Sequence, residues 1–225
     1  MTLSPIRFGT HSLSSVPRAK CLGVVFDPEI SFQAQVTKTV ASCFGAIRQI
    51  RSARSSLATS FLTLLMQTLV LPRLDYCISV FHDLPRFQIR RLQSVLNASA
   101  RLIYRRSRFS SVTPLLHELR WLPVKARIEF RIAVLVHRCR AGLAPSYLAR
   151  GLVPVSSLSC RSHLRSSSSS SLIVPFVRRS TIGQRSFPVA AAKTWNTLPS
   201  HLQQEECLTT FKRRLNAHFL SIYYD

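Results

Sequence analysis

The amino-acid sequence predicts a mainly α-helical protein, a helical bundle with one residual strand or hairpin at its N-terminus, a serine-rich linker and a small C-terminal unit. Three observations lead to this fold class. Apolar residues make up 46% of the 225 residues, which is enough to bury a sizeable core. The chain has only 6 Gly and 12 Pro, a composition that favours helices over turns. In several segments, apolar positions recur at steps of three and four residues, as on one face of a helix.

The first element is a short apolar run over residues 21–26, which ends at Asp27-Pro28. It predicts one buried strand followed by a turn. Because a lone strand is not stable by itself, we expect it to pair with strands elsewhere, either in another part of this chain or in another chain. Residues 1–30 are assigned to this strand region.

Residues 31–150 form the predicted helical domain. Its second helix is apolar nearly all round, so we expect it at the centre of the bundle, ending at Pro72. Thr113 is the predicted N-cap of the fourth helix, and Gly142 suits the C-terminal cap of the fifth. Trp121 is interpreted as a core residue, with stacking on a nucleic-acid base as the alternative. The predicted helices cover residues 31–50, 57–71, 86–106, 113–120 and 124–141.

The character of the chain changes over residues 151–180. Residues 156–171 contain ten serines, a composition that cannot bury a core and predicts a flexible linker. Residues 181–225 return to an ordered pattern, a small C-terminal unit with Trp195 as a packing anchor and a last helix near residues 208–222.

The charge of the chain is strongly one-sided. It has 31 Lys and Arg against 9 Asp and Glu, a formal net charge of +22, and no acid lies between Glu129 and Glu205. This balance argues against a metal enzyme rich in acidic ligands and predicts a polyanionic partner. Only five of the cations are Lys, and Arg binds phosphate bidentately, so nucleic acid is favoured over mere solubility.

Two predicted helices each carry an arginine stripe and an apolar stripe. On a helical wheel the first stripe falls within about 100° and consists of Arg86, Arg90, Arg101 and Arg105; the second falls within about 40° and consists of Arg127, Arg131 and Arg138. If both faces border one groove, each arginine contacts RNA or DNA phosphates without reading bases. The alternative is an ordinary solvated face, which we disfavour because we expect both stripes to lack nearby acids that neutralise them and because Arg rather than Lys occupies them. The nucleic-acid-binding residues predicted in this way are Arg86, Arg90, Arg101, Arg105, Arg127, Arg131 and Arg138.

The sequence contains no pattern typical of an enzyme. It has neither a glycine-rich phosphate loop nor a G-x-S-x-G elbow, and its acids do not form the carboxylate set that two-metal chemistry needs. Cys160-x-x-His163 and His137-x-Cys139 have half-site spacing but no matched second pair, so we expect no zinc. We therefore predict no catalytic residues, metal or cofactor. Three acids lie at turns, where we expect capping and ion pairing: Asp27, Asp75 and Asp83.

The cysteines and the N-terminus indicate an intracellular protein. Six cysteines lie at long spacings and are interpreted as reduced thiols, mostly in the core. Residues 1–20 contain no apolar secretory segment, and the longest apolar stretch, 61–71, is about half of a membrane span. We expect a nuclear or cytoplasmic protein that is neither secreted nor inserted in a membrane.

Short motifs in a fixed order cover residues 20–220, and together they resemble one family. That family is the C-terminal part of the reverse transcriptase polyprotein of LINE-type, jockey-like non-LTR retrotransposons. The motifs are Leu22-Gly23-Val24, Phe26-Asp27, Ser31-Phe32, Arg73-Leu74-Asp75-Tyr76-Cys77, Leu84-Pro85, Arg91-Leu92-Gln93, Asn97-Ala98, Ala100-Arg101-Leu102, Thr113-Pro114-Leu115, Trp121-Leu122-Pro123-Val124, Arg127-Ile128-Glu129-Phe130, Gly142-Leu143-Ala144-Pro145-Ser146-Tyr147-Leu148, Leu164-Arg165-Ser166, Val174-Pro175, Gly183 with Arg185 and Phe187, and Trp195-Asn196-Thr197-Leu198-Pro199.

The resemblance implies that residues 31–150 are a polymerase thumb and the helical region after it, which hold the template–primer duplex. The strand at 22–24 would belong to the edge of the palm near the primer grip, and a palm domain or another protein would cover it. In the family the catalytic aspartates and the endonuclease lie upstream, so we expect a truncated relative of an RNA-directed DNA polymerase that is not an enzyme alone. The alternative is a non-functional transposon remnant, or a host-derived protein with a partner-binding or structural role.

Overall fold

The computed structural model describes residues 6–14, 16–157, 170–178 and 182–224. It is mainly helical, which confirms the predicted fold class. Short 3-10 turns lie at Arg54–Ser56, Ile78–Phe81 and Val155–Ser157. The α-helices are α1 Gln33–Ser52, α2 Thr59–Leu65, α3 Leu71–Asp75, α4 Arg86–Ile103, α5 Thr113–Glu118, α6 Val124–Arg140, α7 Ser146–Ala149, α8 Phe187–Asn196, α9 Ser200–Gln203 and α10 Leu208–Tyr224.

The N-terminal region holds two antiparallel hairpins rather than one strand. The prediction of a continuous strand over 21–26 is wrong, because the chain reverses at Leu22 and Gly23, whose φ angles are 47° and 85°. Positive φ at both central residues is what a two-residue hairpin turn requires, and the glycine eases it. The sheet partner therefore lies within the chain. The strands are β1 Ile6–Phe8 paired with β2 His11–Leu13, and β3 Ala19–Cys21 paired with β4 Val24–Phe26.

The second predicted helix does not end at Pro72. Helix α2 passes through a π-helical turn, Met66–Val70, into α3, and Pro72 lies in the first turn of α3. A proline inside an α-helix lacks one N–H and its ring meets the carbonyl four residues earlier, so a wider turn before it accommodates the ring. The expected central position is also wrong, since Phe61 and Leu64 are 60% and 53% exposed.

One hydrophobic core joins the helical domain and the C-terminal residues. Helix α6 packs against α4, α8 and α10, and α1 packs against α4. The apolar faces predicted for these helices are buried, including Phe211 and Leu215 on α10. Trp121 and Trp195 are 4% and 0% exposed, which confirms both as packing residues. Thr113 begins α5 without a side-chain cap, whereas Gly142 (φ 69°) follows α6 as predicted.

The described ends of the predicted linker are held against α8. Pro154 and Leu172 form an isolated antiparallel bridge, and Leu172 is buried. The Asn196 side chain accepts a hydrogen bond from the Leu172 N–H and donates one to its carbonyl, each at 2.8 Å. The motifs Cys160-x-x-His163 and Leu164-Arg165-Ser166, with the serines from 166 to 169, lie outside the described residues.

The cysteines in the described ranges are unpaired and differ in their exposure. Cys43 and Cys139 are buried, Cys77 is half-buried, and Cys21 and Cys207 are exposed. The expectation of core thiols therefore holds for only some of them. In the same ranges, no helix combines the length and the apolar composition needed to cross a membrane.

Candidate nucleic-acid interface

Four arginines and one lysine line a single cavity of about 590 Å³ between α6, α10 and the segment that follows α3. We call it the α6 cavity. Its remaining walls are polar and apolar side chains, among them Leu122, Phe130 and the half-exposed Tyr76. Among its described lining residues, Asp75 supplies the carboxylate. The cationic residues are Arg120, Arg127, Arg131, Arg138 and Lys212.

Helix α6 places three of these arginines on one face. Arg127, Arg131 and Arg138 follow one another at steps of four and seven residues, close to one and two helical turns. The opposite side of α6 is fixed by burial of residues such as Ile132 and Val136 in the core. Arg131 and Arg138 are exposed toward the cavity, and Arg138 donates from Nη2 to the Leu143 carbonyl at 3.2 Å.

Asp75 forms ion pairs with two of the three arginines, Arg127 and Arg131. Arg127 donates from Nη1 to both carboxylate oxygens of Asp75, at 2.8 and 2.7 Å, and from Nε to the Leu122 carbonyl at 3.0 Å. Arg131 Nη2 lies 3.8 Å from the same carboxylate. The expectation that this stripe has no neutralising acid is wrong for Arg127 and Arg131, and the Arg127 side chain is only 14% exposed. The partner was missed because it lies far away in the sequence.

Helix α10 completes the cavity. Lys212 and Asn216 are four residues apart on α10 and line the cavity, while Phe211 and Phe219 of the same helix are buried in the core. The end of the helix is fastened by the Tyr224 hydroxyl, which donates to the Trp121 carbonyl at 2.5 Å. Burial raises the pKa of Tyr224 to about 12, so this hydroxyl stays protonated and remains a donor at neutral pH.

Arg120, Lys212 and Asn216 are cavity residues that the sequence reasoning missed. The last two carry a signal in the sequence, because Leu208, Lys212 and Asn216 recur every four residues on one side of a predicted helix. Arg120 carries none that periodicity could detect, since it follows α5 with a left-handed backbone (φ 52°).

The arginines of the first stripe are divided between other places. Arg86 and Arg90 line a second cavity of about 390 Å³ together with Lys125, and Asp83 and Glu129 also line it. The two stripes therefore do not line one shared cavity, and only the α6 stripe is brought together.

Arg101 and Arg105, at the C-terminal end of the first stripe, lie away from the second cavity. Arg101 is half-buried and donates to the Ser110 carbonyl from Nη2 at 3.1 Å, so it does not point freely outward. Helix α4 ends at Ile103, and Arg105 lies beyond it, lining a third cavity of about 310 Å³ with Arg51 and Arg54.

Two of the three acids predicted to cap or pair, Asp27 and Asp75, do so in the structure. Asp27 accepts hydrogen bonds from the Ser31 N–H at 2.7 Å and from its hydroxyl at 2.9 Å, and Asp75 pairs with Arg127. His137 is buried with Nε2 2.8 Å from the Glu205 carbonyl. No cluster of three or more potential metal ligands occurs within the described ranges.

Comparison with known proteins adds no relative to this picture. No protein-family model matches the chain, and no curated protein and no solved structure matches it either. The resemblance to retrotransposon reverse transcriptases therefore rests on the ordered motifs alone.

Proposed function

We propose that this chain is a nucleic-acid-binding C-terminal segment of a LINE-type retrotransposon reverse transcriptase. On this proposal it grips the phosphates of the template–primer without regard to base sequence. The observation that carries the proposal is the α6 cavity, where five cationic side chains face a single carboxylate that Arg127 already occupies. The net charge of +22 acts in the same direction at longer range.

Phosphate is the ligand that this cavity suits best. Arg131 and Arg138 are exposed, and each offers a planar fork of N–H donors that matches two phosphate oxygens. Lys212 adds a flexible point charge from the opposite wall. Neutralising phosphates releases condensed counterions, so affinity falls steeply as salt rises and depends little on base sequence.

On this proposal the segment binds nucleic acid and does not supply catalytic residues. By resemblance to the family, the polymerase aspartates belong to a palm that would pack near the N-terminal hairpin. Strand β3 is exposed along its whole length and Leu22 at the hairpin tip is 85% exposed, which supports a covering partner such as a palm domain.

A protein-binding role is the second candidate, and a different surface favours it. Phe61 and Leu64 of α2 are large apolar side chains that lie mostly in solvent. Neighbouring exposed apolar side chains that form a contiguous patch are typical of protein interaction surfaces. This candidate corresponds to a host-derived or remnant protein, and it predicts no dependence on the α6 cavity.

The test is a titration of fluorescein-labelled oligonucleotides followed by anisotropy at several salt concentrations. The double variant R131Q/K212Q removes two exposed cavity cations and leaves the Arg127–Asp75 pair intact. The matched control R213Q/K20Q removes the same charge from exposed positions outside the three cavities. We expect R131Q/K212Q to weaken binding about tenfold and to lower the salt slope by about two, one for each lost contact.

Two results would contradict the proposal. One is equal weakening in R131Q/K212Q and in its control, since binding would then follow net charge and not the cavity. The other is competition by polyglutamate that equals competition by RNA at the same charge concentration, since carboxylates would then serve as well as phosphates.

A further inference from the structure

The third cavity has an unusual lining. It holds about 310 Å³ where α1 and α4 end, and the residues around it are Arg51, Arg54, Ser55 and Arg105. No carboxylate is among these residues, and none of the three arginines takes part in an ion pair within the described chain. Three guanidinium groups around one concave space repel each other unless an anion lies between them.

Helix ends explain part of this arrangement but not all of it. Arg51 lies in the last turn of α1, where the partial negative charge of the helix end favours a cation. Arg54 and Arg105 each lie two residues beyond the end of a helix, so the same effect reaches them, but it does not require all three arginines to line one space.

The backbone at Arg105 is the second observation. Arg105 has a φ of 54°. Its backbone N–H donates a hydrogen bond to the Leu102 carbonyl, and the Arg106 N–H donates one to the Arg101 carbonyl. These two bonds define a helix end in which the left-handed position favours glycine, since a Cβ is crowded there.

The same helix end occurs at α6, and there the sequence has the favoured residue. The Gly142 N–H donates to the Cys139 carbonyl and the Leu143 N–H donates to the Arg138 carbonyl, the same two hydrogen bonds that end α4. The chain therefore uses glycine at one such end and arginine at another. A side chain kept at a strained position points to a function of that side chain.

Helix α5 repeats the observation at the site of the proposed function. Arg120 has a φ of 52°, its N–H donates to His117, and the Trp121 N–H donates to Leu116. Arg120 lines the α6 cavity. The two arginines that replace the favoured glycine thus each line a cationic cavity.

We infer that Arg51, Arg54 and Arg105 form a second phosphate-binding site, which takes a backbone phosphate of the same nucleic acid. The inference rests on the proposed function, because it treats the α6 cavity as the first site. The two sites lie apart. Lys38 Nζ is 3.5 Å from the carbonyl of Gly23, a residue that lies beside Tyr76 at the edge of the α6 cavity. Lys38 and Arg51 are about 20 Å apart along α1.

The test uses R105G, a variant that removes the side chain and relieves the backbone. We expect its thermal midpoint to rise by about 2 °C, because glycine suits the left-handed position. We also expect its affinity for a fluorescein-labelled oligothymidylate to fall about fivefold and its salt slope to fall by about one. Improved stability with weaker binding excludes misfolding as the cause of the loss.

The double variant R51Q/R54Q tests the other side of the site without touching the strained residue. We expect it to lower the salt slope by one to two, about one per contact. R213Q on α10 is the control, an exposed arginine outside the three cavities, and its affinity should stay within about twofold of wild type.

The outcomes separate the two proposals. Wild-type affinity and salt slope in R105G and in R51Q/R54Q would overturn the second site and leave the α6 cavity in place. Binding by the wild-type chain that does not depend on salt, or no binding, would overturn the proposed function and the second site together.

Discussion

The Asp75→Asn variant tests whether one carboxylate both stabilises the fold and opposes the binding of nucleic acid. The carboxylate of Asp75 accepts two hydrogen bonds from Arg127, and both side chains are less than a fifth exposed. Removing the charge leaves the Arg127 guanidinium half-buried against a neutral amide. At the same time, the α6 cavity loses its carboxylate, so a bound phosphate meets no repulsion from it.

The size of the effect follows from the burial. Breaking a fully buried pair costs about 3–5 kcal/mol, whereas an exposed pair contributes about 0–1 kcal/mol. For this mostly buried pair we expect a loss of roughly 2–3 kcal/mol in the free energy of unfolding. In a chain of this size that corresponds to a fall of about 5–10 °C in the thermal midpoint. Binding should change in the opposite direction, with affinity for an oligonucleotide rising about threefold at low salt.

Urea denaturation and fluorescence anisotropy on the same samples measure both quantities. The control is Glu206→Gln, which makes the same charge change at an exposed carboxylate and should alter unfolding by less than about 0.5 kcal/mol. A thermal midpoint within about 1 °C of wild type would refute the reasoning that this pair holds the end of α3 to α6. Weaker binding would refute the view that the carboxylate opposes the ligand.

Three further predictions address pH, thiol reactivity and packing. Burial raises the pKa of Glu129, so the folded chain holds this proton more tightly than the unfolded chain, and its stability falls as pH rises through the raised pKa. Glu129→Gln should remove that fall in urea titrations over the mildly acidic range. Iodoacetamide should label Cys207 well before Cys43 in peptide mass mapping, because hydrogen bonds from the first turn of α10 lower the pKa of Cys207 while burial raises that of Cys43 to about 11. Gly45→Ala, in open space inside α1, should raise the free energy of unfolding by about 0.5–1 kcal/mol. Gly151→Ala, whose Cβ would lie 2.7 Å from a proline carbon, should lower it by about 1–3 kcal/mol.

Each of these has a clear contrary result. An unchanged pH profile in the Glu129 variant would show that this carboxyl is as well solvated in the folded chain as in the unfolded one. Equal labelling of Cys207 and Cys43 would show that α1 opens faster than the reagent reacts. Equal effects of the two alanines would show that the loop at Gly151 moves aside at no cost.

The long helices α4, α6 and α10 were predictable because each has one dominant local signal. Helices α4, α6 and α10 bury the apolar faces that a period of 3.6 residues marks out. Gly142 is also a local signal, since a glycine after such a face predicts the left-handed helix end.

The misses arise where two local signals compete. In residues 21–26 the apolar run predicts a continuous strand, while Gly23 allows a turn inside it, and the turn occurs. At Pro72 a helix stop competes with burial of Leu71 and Leu74 on either side of the proline, and a π-helical turn keeps both.

The α6 cavity was only half predictable because its residues come from distant parts of the chain. The α6 arginines share one helix face and were found by their spacing. Asp75 and Lys212 reach the same space from α3 and α10, and no local pattern encodes contacts across such separations. Arg120 depends on how α5 ends, which is a property of its backbone and not of its neighbours in sequence.

The position of α10 has a consequence for the order of events during synthesis. A chain that has emerged only as far as α6 already carries its cavity arginines, but it lacks the wall that bears Lys212 and the Tyr224 hydroxyl that fastens that wall to Trp121. Domains fold as units while the N-terminal part leaves the ribosome first. The α6 cavity can therefore form only after residue 216 has been translated. Nascent chains that stop before α10 lack the cavity.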